Sequence, residues 1–338
     1  MIADAIKAVV AGADLSDAEV EAAMDAILDG EASPAQIAAF VVGLRMKGES
    51  ASEIAAAARA LRKHCDAIRP KVDGPLLDTC GTGGDGLHTF NISTAAAIVA
   101  ASCGVAVAKH GNRAVSSKAG SADVLEALGV RIDLSPERVL QSIEDLGIGF
   151  MFAPSHHSAM RHAAPVRREL GVRTLFNLLG PLSNPASATH QVVGVYDPRR
   201  LEQLAQALGA LGLTAAWVVH GQGGLDEVSP AGPTRVAQLA GGEVTCFDIS
   251  PIDFGIAEVP VEALGGGDAA RNAQIIHAVL DGEQGPPRSA VVLNAAAALR
   301  VAGLADDPKA AADRAAEAID RGDAKEKLER WAAFTQGS

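Results

Sequence analysis

Residues Asp78–Thr94 read Asp-Thr-Cys-Gly-Thr-Gly-Gly-Asp-Gly-Leu-His-Thr-Phe-Asn-Ile-Ser-Thr, which sets four glycines and several hydroxyl or amide side chains between an apolar run and an alanine-rich one. Glycines lack a Cβ, so backbone N–H groups can converge on an anion, and a helix starting just beyond them adds unpaired donors and a positive dipole end. A turn that merely reverses the chain is the alternative reading of the glycines alone. Two nucleotide patterns do not fit. No Lys follows these glycines as the P-loop requires. Gly81, Gly83 and Gly86 satisfy G-x-G-x-x-G formally, but the helix opens only near Asn91. No Asp or Glu lies between Asp85 and Asp123 to hold a ribose hydroxyl. The segment therefore points to a phosphorylated metabolite at the end of a strand, not to a dinucleotide.

The rest of the chain supplies the sheet that such a loop needs. Apolar runs at Leu76–Thr79, Val105–Ala108, Gly149–Phe152, Gln191–Tyr196, Ala215–His220, Arg235–Leu239 and Glu243–Asp248 read as strands. Helical segments at 91–103, 120–128, 136–146, 198–211, 268–280, 289–302, 308–320 and 323–335 follow or alternate with them. That order predicts an α/β fold with a mostly parallel central sheet. The first 66 residues differ: after a helix at 2–12, Ser16-x-x-Glu19, Ser33-Pro34-x-Gln36 and Ser50-x-x-Glu53 each start a further helix as a capping box, with Gly30 and Gly48 as stops. This small N-terminal helical domain is too thin to stand alone. It must bury its faces against the rest of the chain or a second subunit.

Charge and composition narrow the partners. Lys plus Arg number 29 against 41 Asp plus Glu, a net charge of −12, and aromatics are 3%. Such a chain repels nucleic acid and anionic membranes unless it carries a local basic patch, and so few aromatics argue against base-stacking platforms on its surface. The N-terminus has no basic signal region, and the most apolar stretch, Ala95–Ala108, falls short of the ~18 residues that span a bilayer. Cys65, Cys80, Cys103 and Cys246 have no C-x-x-C spacing, so reduced thiols in a cytoplasm are expected.

Three further constellations carry chemistry. Lys109-His110-Gly111-Asn112-Arg113, continuing through Ser121 to Asp123, leaves the second strand and delivers cations and hydroxyls beside the glycine loop. Phe152–Arg161 holds His156 and His157, which point apart on a helix and lack an acidic partner at ligand spacing, so zinc is not expected. His157 and Arg161, at i and i+4, should share a helix face, whereas Pro165 leaves the direction of Arg167 open. Either guanidinium would suit a carboxylate. Asp226 and Glu227, in a glycine loop after Ala215–His220, offer hard oxygens to Mg²⁺ if they face the phosphate cradle.

With these blocks, Gly43–Gly48, Arg173–Pro185 and Gly224–Ser229, the chain resembles the anthranilate phosphoribosyltransferase family of tryptophan biosynthesis over nearly its whole length. The resemblance implies transfer of a phosphoribosyl group from phosphoribosyl pyrophosphate to anthranilate, with Mg²⁺, by a homodimer joined through the helical domain. It implies a nucleoside-phosphorylase-like fold with residues 1–66 and a segment near 163–182 in the helical domain, and 67–162 with 183–338 in the α/β domain. On this resemblance Gly81, Thr82, Gly83, Gly84, Asp85, Thr89, Asn91, Ile92, Ser93 and Thr94 hold pyrophosphate and ribose, together with Lys109, Gly111 and Ser121. Ser93, Asp226 and Glu227 are the implied metal ligands. Asn112 and Arg167 are the implied anthranilate contacts, with His110, His157 and Pro181 lining that channel; His110 is the candidate for any catalytic proton transfer. The chain departs from the family's frequent residues at Ser158 and Arg161, and at Ala114 and Ala119 of the basic loop. A pyrimidine nucleoside phosphorylase and a basic, non-catalytic nucleic-acid binder are the rivals. The intact glycine loop, the Asp226-Glu227 pair and the acidic balance speak against both.

Overall fold

The computed structural model describes residues 2–114 and 118–337. Val115, Ser116 and Ser117 of the basic loop lie outside the described residues. Four helices open the chain: α1 (Ile2–Val10), α2 (Asp17–Leu28), α3 (Pro34–Lys47) and α4 (Ala51–Lys63). All three expected capping boxes form reciprocally, at Ser16/Glu19, Ser33/Gln36 and Ser50/Glu53. Each cap satisfies helix-end donors and contributes about 1 kcal/mol.

A seven-stranded sheet follows, made of β1 (Leu76–Gly81), β2 (Ala106–Gly111), β3 (Ile148–Phe152), β4 (His190–Gly194), β5 (Ala215–Gly221), β6 (Thr234–Ala240) and β7 (Glu243–Ile249). Its order is β3-β2-β1-β4-β5-β6-β7, parallel from β3 to β5 and antiparallel in the last two pairings. Gly241 and Gly242, both at positive φ, make the β6–β7 hairpin turn. Helix α5 (Ile92–Ser102) leads from the β1 loop back across the sheet.

Consecutive strand residues enter different cores, as the two-residue period of a strand requires. Val192, Val219 and Val236 pack with α5 and the C-terminal helices Pro286–Val301, Pro308–Asp320 and Asp323–Gln336. Their neighbours Val193, Val218 and Ala237 face the other way, into a core shared with α1–α4, Val166, Leu175–Leu182 and the helix Leu201–Ala210. The N-terminal helices thus bury themselves against one face of the sheet through these intervening helices. Most expected helices lie within one or two residues of their observed bounds, and two differ in a way that has a local cause. The one expected at 289–302 begins at Pro286, because two prolines fit a first turn whose N–H groups need no partner. The one expected at 198–211 starts as a 3-10 turn, Pro198–Arg200, and becomes α-helical at Leu201.

Candidate active site

The parallel strands β1, β2, β4 and β5 all end on glycine, at Gly81, Gly111, Gly194 and Gly221. Loops fold tightly across those ends. A Cβ on Gly194 would lie 1.5 Å from the Asp226 carbonyl oxygen, and one on Gly81 2.9 Å from Asp226 Oδ2. On Gly221 it would meet the Glu227 carbonyl at 2.6 Å, and on Gly111 the Ser121 hydroxyl at 2.2 Å. The β5 loop therefore lies over β4 and reaches the β1 loop. Gly83 N–H donates to Asp226 Oδ2 at 2.8 Å, Ser93 N–H to Glu227 Oε1 at 3.1 Å, and Thr82 N–H to the Gly194 carbonyl at 2.8 Å. Segments 143 residues apart in sequence form one cradle.

The second half of the glycine loop is fixed by a different neighbour. Thr89 bridges Gly265, Phe90 N–H donates to the Leu264 carbonyl at 3.1 Å, and Gly266 N–H to the His88 carbonyl at 2.9 Å. Asn91 gives α5 no side-chain cap. Its amide instead donates to the Ala119 carbonyl at 3.3 Å and accepts from Asn272 at 2.9 Å, tying the helix start to the basic loop and to the helix Ala269–Leu280. Ile92 is fully buried, so only its backbone can face a ligand, and the buried Thr94 hydroxyl has no partner among the described residues.

Lys109, at the end of β2, is buried and donates to the Thr79 carbonyl. Its counter-charge is Asp78, a residue the sequence reading did not single out. This carboxylate is fully buried, accepts from His110 N–H at 3.1 Å and from the Asn184 amide at 2.7 Å, and is raised to about 6 by burial against the opposing pull of Lys109. An acid inside the apolar strand Leu76–Gly81 was the available signal.

His110 and His157 meet with ring centroids 5.1 Å apart. His110 Nδ1–H donates to the Gly180 carbonyl at 3.1 Å, which fixes the tautomer and leaves a lone pair on Nε2. That atom and both ring nitrogens of His157 are buried with no partner among the described residues. Burial holds His110 well below the usual range, and it pushes His157 down to about 4 against the pull of the nearby Ser183 backbone. Pro181 lies inside the helix Leu175–Leu182 beside Gly180, and its carbonyl accepts from Gln191 at 2.6 Å. The expected helix face shared by His157 and Arg161 does not form. The helix Ala153–His156 ends before His157, and Ser158–His162 is a 3-10 turn with a tighter period that leaves Arg161 exposed. Pro165 restarts an α-helix, Ala164–Leu170, which carries Arg167.

The Arg167 guanidinium lies 5.5 Å over the Phe176 ring and has no hydrogen-bond or ion-pair partner among the described residues. Partial burial lowers its pKa. A half-buried guanidinium without an anion is costly, so this is a place for a carboxylate. Asn112 is exposed; its side-chain oxygen accepts from Arg113 N–H at 2.7 Å, and its carbonyl accepts from Ala122 N–H and the Ser121 hydroxyl at 3.2 and 3.4 Å.

Burial and the neighbouring Asp85 carboxylate raise Asp226 well above the usual carboxylate range, and burial and Asp226 raise Glu227 likewise. Among the described residues no three His, Cys, Asp or Glu side chains are grouped to hold a metal ion. Two repelling carboxylates beside the Ser93 backbone and a phosphate cradle nevertheless fit Mg²⁺, which takes one or two carboxylates and completes its shell with substrate phosphates and water.

The glycine-ended parallel sheet with a helical layer against it has the two parts of a glycosyl transferase: residues 3–65 match the glycosyl transferase family helical bundle domain and residues 73–325 its a/b domain. The chain is 52% identical over 99% of its length, and 99% of the relative's, to an anthranilate phosphoribosyltransferase of Desulfatibacillum aliphaticivorans. The crystal structure of the enzyme of that name from Thermus thermophilus superposes with a TM-score of 0.94 at 48% identity, over 98% of this chain and 99% of that one. The Saccharomyces cerevisiae enzyme in complex with phosphoribosyl pyrophosphate and Mg superposes with a TM-score of 0.92 at 29% identity, over 100% and 98%. The chain belongs to the anthranilate phosphoribosyltransferase family.

Proposed function

We propose that this chain transfers the 5-phosphoribosyl group of phosphoribosyl pyrophosphate to the amine of anthranilate in tryptophan biosynthesis, releasing pyrophosphate, with Mg²⁺ as cofactor. The observation that carries the reading is the single cradle made by Gly81–Asp85, Ser93, Asp226 and Glu227, where Gly83 N–H and Ser93 N–H meet the two carboxylates at 2.8 and 3.1 Å. In the reaction the bond from C1′ to pyrophosphate breaks with its electron pair leaving on oxygen. The amine lone pair forms the new C1′–N bond, and one amine proton departs.

Gly81, Thr82, Gly83, Gly84, Asp85, Thr89 and the Asn91–Thr94 turn, with Lys109, Gly111 and Ser121, bind phosphoribosyl pyrophosphate; Ser93, Asp226 and Glu227 hold Mg²⁺, whose charge offsets that of the leaving group. Arg167 grips the carboxylate of anthranilate, assisted by Asn112, and so fixes the neighbouring amine behind C1′. His110, His157 and Pro181 line the approach. His110, neutral at pH 7 with a free Nε2, can accept the departing proton, which an arylammonium gives up readily.

Residues 1–66 with 163–182 form the helical domain in this reading, 67–162 with 183–338 the α/β domain, and the protein works in the cytoplasm as a homodimer. Exposed Val10 and Met46, on the packed helices α1 and α3, support a dimer contact through the helical domain. Among the described residues no helix is long and apolar enough to cross a membrane. The test of the reaction is the loss of anthranilate fluorescence on mixing the protein with phosphoribosyl pyrophosphate, with and without Mg²⁺. Metal-dependent consumption is expected, and a folded protein that consumes none refutes the reading. Sedimentation of wild type and Met46→Glu tests the dimer.

A further inference from the structure

Arg173 occupies the short segment between the helices Ala164–Leu170 and Leu175–Leu182, both of which feed the core of the N-terminal helices, yet its side chain reaches the glycine loop. Its guanidinium stacks on Tyr196, 3.8 Å from the ring centre, and Nη2–H donates to the Gly83 carbonyl at 3.0 Å. The fit is close enough that a Cβ on Gly84 would lie 1.2 Å from Nη2. Gly83 is thus gripped at both ends, its N–H by Asp226 at 2.8 Å and its carbonyl by Arg173.

The carbonyl of Gly83 and the N–H of Gly84 belong to one trans peptide and point in opposite directions. With the carbonyl turned to Arg173, the Gly84 N–H is turned away from it, and it has no hydrogen-bond partner among the described residues. Gly83 and Gly84 both sit at positive φ, +67° and +81°, where two successive glycines let the intervening peptide flip at little cost. A flipped peptide would present an oxygen, not a donor, to a phosphate. We propose that Arg173 is a positioning residue that locks the Gly83–Gly84 peptide with its N–H available to the pyrophosphate of the donor substrate. The same contact ties the orientation of the cradle to the segment that follows Arg167. The inference rests on the proposed reaction.

The test compares wild type, Arg173→Ala, Arg173→Lys and Tyr196→Leu for KM of each substrate, kcat, thermal midpoint, and binding of Mg²⁺-pyrophosphate by calorimetry. A charge-assisted hydrogen bond of this kind is worth roughly ten- to hundredfold in affinity. Arg173→Ala should raise the KM for phosphoribosyl pyrophosphate and the pyrophosphate Kd by about that factor, with the KM for anthranilate within about twofold. Tyr196→Leu, which leaves Arg173 unsupported, should show the same split more weakly, and Arg173→Lys, which keeps one donor, should recover part of the loss. Equal effects on both substrates, or an unchanged pyrophosphate Kd in Arg173→Ala and Tyr196→Leu alike, would overturn the proposal. Wild type inactive with anthranilate but still binding pyrophosphate would instead refute the reaction, leaving the pyrophosphate arm to judge Arg173.

Discussion

Replacing Gly194 by Ala isolates the packing of the carboxylate loop from every other feature of the site. Gly194 closes β4 and is not among the glycines at positive φ, so Ala suits its backbone and the cost is steric. The new Cβ would lie 1.5 Å from the Asp226 carbonyl oxygen, where real contacts stop near 3.0 Å. The loop must therefore retreat by about 1.5 Å, and because the obstacle is backbone, no rotamer change relieves it. Overpacking of this kind costs about 1–3 kcal/mol of stability, a fall of a few degrees in the melting temperature. The catalytic loss should be larger, since a misplacement of about 1 Å costs roughly a hundredfold. Turnover measured across a Mg²⁺ titration should show kcat/KM reduced by about two orders of magnitude and a higher half-saturating Mg²⁺ concentration. A variant with kcat/KM within about threefold of wild type and an unchanged Mg²⁺ curve would refute the claim that strand-end glycines set the carboxylates.

Other expectations follow from single residues. Arg167→Ala should raise the KM for anthranilate far more than that for phosphoribosyl pyrophosphate; equal increases count against a carboxylate clamp. Asp226→Asn with Glu227→Gln should raise the Mg²⁺ requirement, and an unchanged requirement removes the pair from the metal site. His110→Ala should lower kcat with substrate Kd values unchanged if Nε2 takes the proton; a change in Kd alone makes it a wall of the channel. Asp78, raised from 3.8 to about 6 by burial, contributes stability that is full below its unfolded value and is lost as pH rises through about 6. The melting temperature of wild type should therefore fall relative to that of Asp78→Asn as pH rises from about 4 to about 6, and a difference that stays constant would show that the fold does not raise this carboxyl.

What the sequence made legible was whatever local spacing controls. The three capping boxes need only four residues each, and all three formed as expected. The five parallel strands were visible because parallel strands buried on both faces read as continuous apolar runs. The helix face shared by His157 and Arg161 was not, because spacing alone cannot distinguish an α-helix from a helix that breaks at His157 and resumes as a 3-10 turn. Gly194 and Asn184 had no local signal at all. One matters because its strand lies beside β1 under the Asp226 loop, the other because its amide meets Asp78 from 106 residues away.

The site is held by backbone crowding more than by side-chain bonding, and this explains why residue types alone showed only half of it. A carboxylate pair in a glycine loop is by itself ordinary surface charge. Asp226 and Glu227 acquire raised pKa values because Gly194, Gly81 and Gly221 let their loop settle across three strand ends, close to Asp85 and into partial burial. Once there, each carboxylate disfavours ionisation of the other, and a divalent cation relieves both. The same settling brings Asp226 onto the Gly83 N–H, while Arg173 takes the Gly83 carbonyl. The two groups that fix the Gly83 peptide units therefore come from different parts of the chain, one from the loop after β5 and one from the segment between the helices Ala164–Leu170 and Leu175–Leu182. A change in the packing of either segment must be felt at the same glycine.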